Sequence, residues 1–226
     1  MNKVLKNHSL FAVTQKEITK VNELPEKKVF QENANIDLTE SVRKSVVKRL
    51  PWLIILLGLG IGVSATVGIF ESLVKQLPAI MFFQSLILDM AGNVGTQSLA
   101  VAIRVLMDTE LSARKKISLI IKECRIGILN GGILGILSFI AVGGYLCLKG
   151  NDVFFAFSVS GCLGVAMVVA MAISAFAGTI IPVIFQKVGI DPAVASGPLI
   201  TTVNDLVAVI TYYGLSWIIL INFLHF

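Results

Sequence analysis

Charge is scarce in this chain. Only 15% of its 226 residues are charged, 55% are hydrophobic, and the mean hydropathy is +0.84. A water-soluble domain has about 25% charged residues, so the composition excludes one and points to an integral membrane protein with a short polar head. Histidine is scarcer still: His8 and His225 stand at the two chain ends. With no nucleophile–base arrangement and no phosphate-binding loop beside them, an enzyme is not expected. Cys124, Cys147 and Cys162 are odd in number and form no CxxC pair, which argues against a disulfide frame or a zinc site. No basic patch is interleaved with aromatics, so the net charge of +5 does not indicate a nucleic-acid partner. Residues 1–39 hold no apolar h-region, so no signal peptide is expected. Finally, no lysine or arginine follows Lys187.

What is present is a series of long apolar segments. A spanning helix needs about 20 mostly apolar residues to cross about 30 Å of hydrocarbon. Five segments qualify: Pro51 to Val74, Pro78 to Met107, Ile117 to Leu148, Val153 to Ile181, and Pro192 to Leu224. Pro51 suits a first helical turn and Trp52 an interface. The fold class is therefore an all-α integral membrane protein with five transmembrane helices, spanning residues 51–226. Ahead of it, residues 36–50 carry Val42, Val46, Val47 and Leu50 on one face. They are expected to form an amphipathic juxtamembrane helix along the membrane surface, capped by Asp37 or Thr39. Residues 1–35 are polar, too few for a folded domain, and expected to be partly disordered.

Basic residues give the orientation. Of the 19 lysines and arginines, only Lys75 and Lys149 fall on one side; the rest lie in the N-terminal segment, around the loop between spans two and three, or after span four. The N-terminus is thus expected to be cytoplasmic, in a plasma membrane, and five crossings place the C-terminus outside. No internal repeat is visible, and an odd number of helices forms a pore more readily by dimerisation than by inverted halves.

Asp205 stands out against this background. It lies about 13 residues into the fifth segment, roughly 20 Å at 1.5 Å per residue, which is near mid-membrane. A carboxylate there costs about 2.5 kcal/mol or more, and no basic residue of its own segment can pair with it. Gly197, Thr201 and Asp205 recur at i, i+4 and i+8 and share one helical face. Asp89, Asn93 and Gln97 form a second stripe on span two. Beside it, Gly92 and Gly95 either admit another backbone or break the helix. Glu71 and Glu123 are candidates to line a vestibule, with an interfacial pair to Lys122 or Arg125 the alternative for Glu123. An acid without a protein cation invites a mobile one. Magnesium keeps much of its water and takes few direct carboxylates. One Asp per protomer with amide and hydroxyl oxygens fits a hydrated ion, and in a symmetric dimer two copies of Asp205 match one divalent charge. Soft metals would require Cys or Met ligands that do not cluster here.

These residues carry a resemblance. Arg49-Leu50-Pro51-Trp52-Leu53, Ala91-Gly92-Asn93-Val94-Gly95-Thr96-Gln97-Ser98 with Arg104, Lys122-Glu123, and Asp191-Pro192-Ala193 with Ser196-Gly197-Pro198-Leu199-Ile200-Thr201-Thr202 and Asp205 resemble the membrane domain of the MgtE magnesium channels. The resemblance runs from about Ser41 to Trp217. It implies a homodimer of five-helix protomers with the pore at the dimer interface. Asp205 would be the magnesium-binding acid, Gly197 and Thr201 pore-facing positions, and Asn93 a polar residue near the pore. Ala91 replaces the first glycine of the signature, Ser85 a common proline, and Gly197 stands where an Asn can occur, which removes a side-chain ligand. Family members often carry a helical N-domain and paired CBS domains that sense magnesium. The residues ahead of span one are too few for either, so the expectation is a transmembrane domain alone. The function implied is passive transport of magnesium, with manganese, cobalt and calcium left open. A sodium- or proton-coupled carrier is the alternative, and a non-conducting membrane scaffold a third.

Overall fold

The computed structural model of the chain describes residues 41–107, 112–189 and 192–225, without side chains for 192–196. The expected polar tail, 1–35, and the start of the 36–50 segment lie outside the described residues. The chain divides into two compact units, Met1–Ile54 and Ile55–Phe226.

Every regular element among the described residues is helical. They are α1 (Val42–Ile69), α2 (Glu71–Gln76), α3 (Ala79–Leu106), α4 (Ala113–Leu148), α5 (Val153–Lys187) and α6 (Pro192–Ser216), followed by a wider-wound π-helical stretch, Trp217–Phe223. Five helices are long and apolar enough to cross a membrane: α1, α3, α4, α5, and α6 with its π-helical end. The fold is therefore all-α with five spans. Hydrocarbon offers no water to backbone N–H and C=O groups, so each segment satisfies them internally by coiling.

Two helix ends differ from the sequence expectation at a proline. The first helix begins at Val42, not Pro51, and Pro51 lies inside it. The fourth runs through the buried Pro182 to Lys187, where a stop at Ile181 was expected. A proline forfeits one i→i−4 bond, but membrane helices tolerate it. The first span also ends early, at Ile69. Phe70 interrupts it and stacks on Tyr213, with ring centroids 5.6 Å apart. The short α2 follows.

Within the second unit, α5 is the hub, packing against α4, α3 and α6, while α3 also packs on α6. It is apolar all round, as suits a membrane span that packs on three helices and leaves Val165 and Phe176 exposed on its outer face. Its N-terminus is capped by Asp152, whose Oδ2 accepts from the N–H groups of Phe154 (2.9 Å) and Phe155 (3.2 Å). The α4–α5 seam is built on glycine. A methyl on Gly135 would stand 2.8 Å from the Gly164 carbonyl oxygen, and one on Gly131 would stand 2.7 Å from Val168 Cα. The two backbones touch, which is how membrane helices gain dispersion contact when the hydrophobic effect cannot drive them together. No residue of α1 is buried; in the second unit its Val63 and Val67 lie against the main apolar cluster.

Candidate functional site: two polar stripes on α3 and α6

The helix expected to break or to admit a neighbour at Gly92 and Gly95 does the second, and at Gly95 alone, since a methyl on Gly92 would meet nothing within 4 Å. α3 is continuous from Ala79 to Leu106. Gly95 is the meeting point of three helices: a methyl there would collide with the side-chain amide of Asn204 on α6, and one on Gly178 of α5 would collide with the Gly95 carbonyl. Nothing larger than glycine fits on α3 at this crossing.

That contact sets the register of the site. Asn204 is wholly buried against Gly95, and its neighbour Asp205, one residue and about 100° further round the helix, is only half-buried. The crossing therefore brings Asp205 to the level of the Asn93–Gln97 turn of α3. Asp89, Asn93 and Gln97 are all exposed on the protomer, as is Thr201, and Gly197 is half-buried. Asp205 marks a transition along its own face of α6, although Leu206 and Ile210 on another face stay exposed. Thr201, one turn earlier, is open, whereas Ala208, Val209, Tyr212 and Tyr213 beyond it are buried beneath the rest of the chain.

The threonine hydroxyls along these helices act as acceptors. Thr201 Oγ1 donates to the Gly197 carbonyl (3.2 Å) and Thr202 Oγ1 to the Pro198 carbonyl (3.0 Å). On α3, Thr96 Oγ1 donates to the Gly92 and Asn93 carbonyls, each at 3.0 Å. With their protons committed to their own helices, these hydroxyls turn lone pairs outward. Among the described residues, Asp205 and Asp89 have no hydrogen bond and no ion pair. Such a surface suits a hydrated cation, whose water presents O–H donors. A single protomer does not cage the ion, however: among the described residues no three of His, Cys, Asp and Glu come together.

Two acids expected in a vestibule are elsewhere. Glu71 lies on α2 and pairs with Lys75, Oε1 to Nζ 2.6 Å. Glu123 is buried and accepts from Ser98 Oγ at 3.0 Å, tying α4 to the residue next to Gln97. It does not pair with its basic sequence neighbours.

The structure adds supports that the sequence reading missed. Tyr212 donates to the Ile80 carbonyl (2.9 Å) and Tyr213 to Gln84 Oε1 (2.6 Å), fastening the far half of α6 to α3. At the other end, Lys116 Nζ donates to Gln186 Oε1 (2.7 Å), and Gln186 Nε2 to the Leu106 carbonyl (2.9 Å). The adjacent tyrosines in an apolar run were a usable signal, since a buried Tyr hydroxyl needs a partner. The Gln186 tie had none, because its partners are far away in sequence.

Comparison with known proteins bears on the same residues. The model of the MgtE family, described as a divalent cation transporter, matches residues 84–215. The magnesium transporter MgtE of Bacillus subtilis is 39% identical over 169 residues, covering 75% of this chain and 36% of that protein. That of Enterococcus faecalis is 38% identical over 180 residues, covering 80% and 38%. That of Thermus thermophilus is 30% identical over 172 residues, covering 76% and 36%. The chain thus spans less than two-fifths of the length of these relatives.

Proposed function

The chain belongs to the MgtE family, and from that premise we propose that it passes magnesium across the plasma membrane through a channel-like pore formed by two copies. The observation that supports this reading is the half-open position of Asp205: a carboxylate near mid-membrane, with no hydrogen bond or ion pair among the described residues, beside two stripes of polar groups left open on the protomer. Facing lipid, such groups would be costly. A second copy across a twofold axis covers them and supplies a second Asp205. The pair then holds one divalent ion with most of its water, assisted by Thr201, the Gly197 turn and Asn93, with Asp89 further along α3. The N-terminus is cytoplasmic and the C-terminus outside, so the resting potential drives magnesium inward, at about 2.3 kcal/mol per charge per 100 mV. In this reading residues 51–226 are the conducting domain, preceded by the juxtamembrane segment 36–50 and the tail 1–35.

The test is magnesium flux into liposomes holding the purified protein. Asp205→Asn should reduce uptake to that of empty liposomes while the variant still elutes as a dimer. Uptake at the wild-type rate would remove Asp205 from the path. Uptake that stops when a sodium or proton gradient is collapsed would assign a coupled carrier instead, and a silent wild-type dimer would assign a scaffold.

A further inference from the structure

On the side of α4 turned away from the α5 seam, Arg114, Ile117, Ser118, Ile121, Lys122, Arg125, Ile126 and Leu129 line an open groove of about 520 Å³. We propose that this groove binds an anionic phospholipid, its phosphate held by Lys122 and Arg125 and its acyl chain lying along Ile126 and Leu129.

Helix length sets the depth. The 36 residues of α4 rise roughly 54 Å at 1.5 Å per residue, well beyond the hydrocarbon. Its C-terminal end is fixed by the turn at Gly150, whose φ of +87° stops the helix. Counting back the roughly 20 residues that cross hydrocarbon leads from Leu148 to about Leu129. Ile126 and Leu129 thus stand at the acyl boundary and Lys122 and Arg125 at headgroup level, with Arg114 about two to three turns further out. The groove changes from apolar to basic where a phospholipid does.

Charge supplies the second argument. Arg114, Lys122 and Arg125 are exposed, and none has a hydrogen bond or an ion pair among the described residues. The acid nearest in sequence to Lys122 and Arg125, Glu123, points the other way and is buried against Ser98. Uncompensated cations at the level of a phosphate layer attract anionic headgroups, and guanidinium matches phosphate geometry. Ser118 adds a hydroxyl one turn from Lys122.

Native mass spectrometry of the full chain in neutral detergent tests this, titrating phosphatidylglycerol or phosphatidylcholine of identical acyl chains. Wild type should retain phosphatidylglycerol in preference to phosphatidylcholine. Lys122→Gln with Arg125→Gln should weaken phosphatidylglycerol about thirtyfold, each surface charge contributing about fivefold, and leave phosphatidylcholine unchanged. Arg125→Lys, which keeps the charge, should retain most of the preference. Equal retention of the two lipids by wild type overturns the proposal and leaves the bases a purely topological signal. Equal phosphatidylglycerol retention by wild type and the double variant also overturns it. So does a change of oligomeric mass in the double variant, which would assign the face to a second copy of the chain.

Discussion

Asn204 and Asp205 are adjacent polar residues with opposite surroundings. Asp205 is half-open, while Asn204 is sealed against Gly95 with neither Nδ2 nor Oδ1 hydrogen-bonded. An orphaned buried amide costs about 1–3 kcal/mol, so Asn204 is not there for stability alone; its bulk against a bare backbone fixes how far α6 is turned, and so where Asp205 faces. Gly95→Ala sets a methyl onto that amide and should cost about 1–3 kcal/mol by overpacking, read as a lower melting temperature of the purified protein. Adding Asn204→Ala frees the volume and should restore most of the loss. A double variant no more stable than Gly95→Ala would mean that the collision is not the source.

At the scale of elements, the five spans were legible because membrane depth demands long apolar runs, and every such run became a helix. Asp89, Asn93, Gln97, Thr201 and Asp205 were legible as stripes because helical periodicity fixes a face from spacing alone. What spacing cannot supply is the environment of that face. Glu123 reads as an interfacial acid beside Lys122 and Arg125, yet its partner is Ser98, on another helix. Pro51 and Pro182 read as boundaries, because the rule that proline starts or stops helices comes from water, where other conformations can satisfy the backbone. The glycines are the opposite case: Gly127, Gly131 and Gly135 recur at i, i+4 and i+8, a spacing that reads as a packing stripe and leaves Gly132 off it, and the packing agrees. A methyl on Gly132 meets nothing within 4 Å, whereas on Gly135 it meets the backbone of Gly164. Gly132→Ala should therefore leave the melting temperature unchanged or raise it slightly, replacing glycine by a better helix former. Gly135→Ala should lower it, since a backbone carbonyl cannot rotate away as a side chain can. Equal melting temperatures for the two variants would contradict direct backbone contact at the α4–α5 seam.

At the scale of the whole molecule, the proposed conductor is incomplete in one copy. It presents acceptors on α3 and α6 but does not enclose an ion, and its polar stripes need a cover other than lipid. If that cover is a second copy about a twofold axis, Thr201 lies close to its own counterpart, because it stands on the open face one turn from Asp205. Thr201→Cys, with Cys124 and Cys147 replaced by Ser and the buried Cys162 retained, should form a disulfide-linked dimer under mild oxidation in membranes. Val165→Cys, also exposed but on α5, should remain monomeric on the same gel. Magnesium should slow the Thr201→Cys reaction, since an ion held between the two Asp205 carboxylates occupies the space the sulfurs must cross. Efficient crosslinking from Val165→Cys and none from Thr201→Cys would move the interface to another face. The open stripes would then require a different partner, and a pore on the twofold axis would be lost with them.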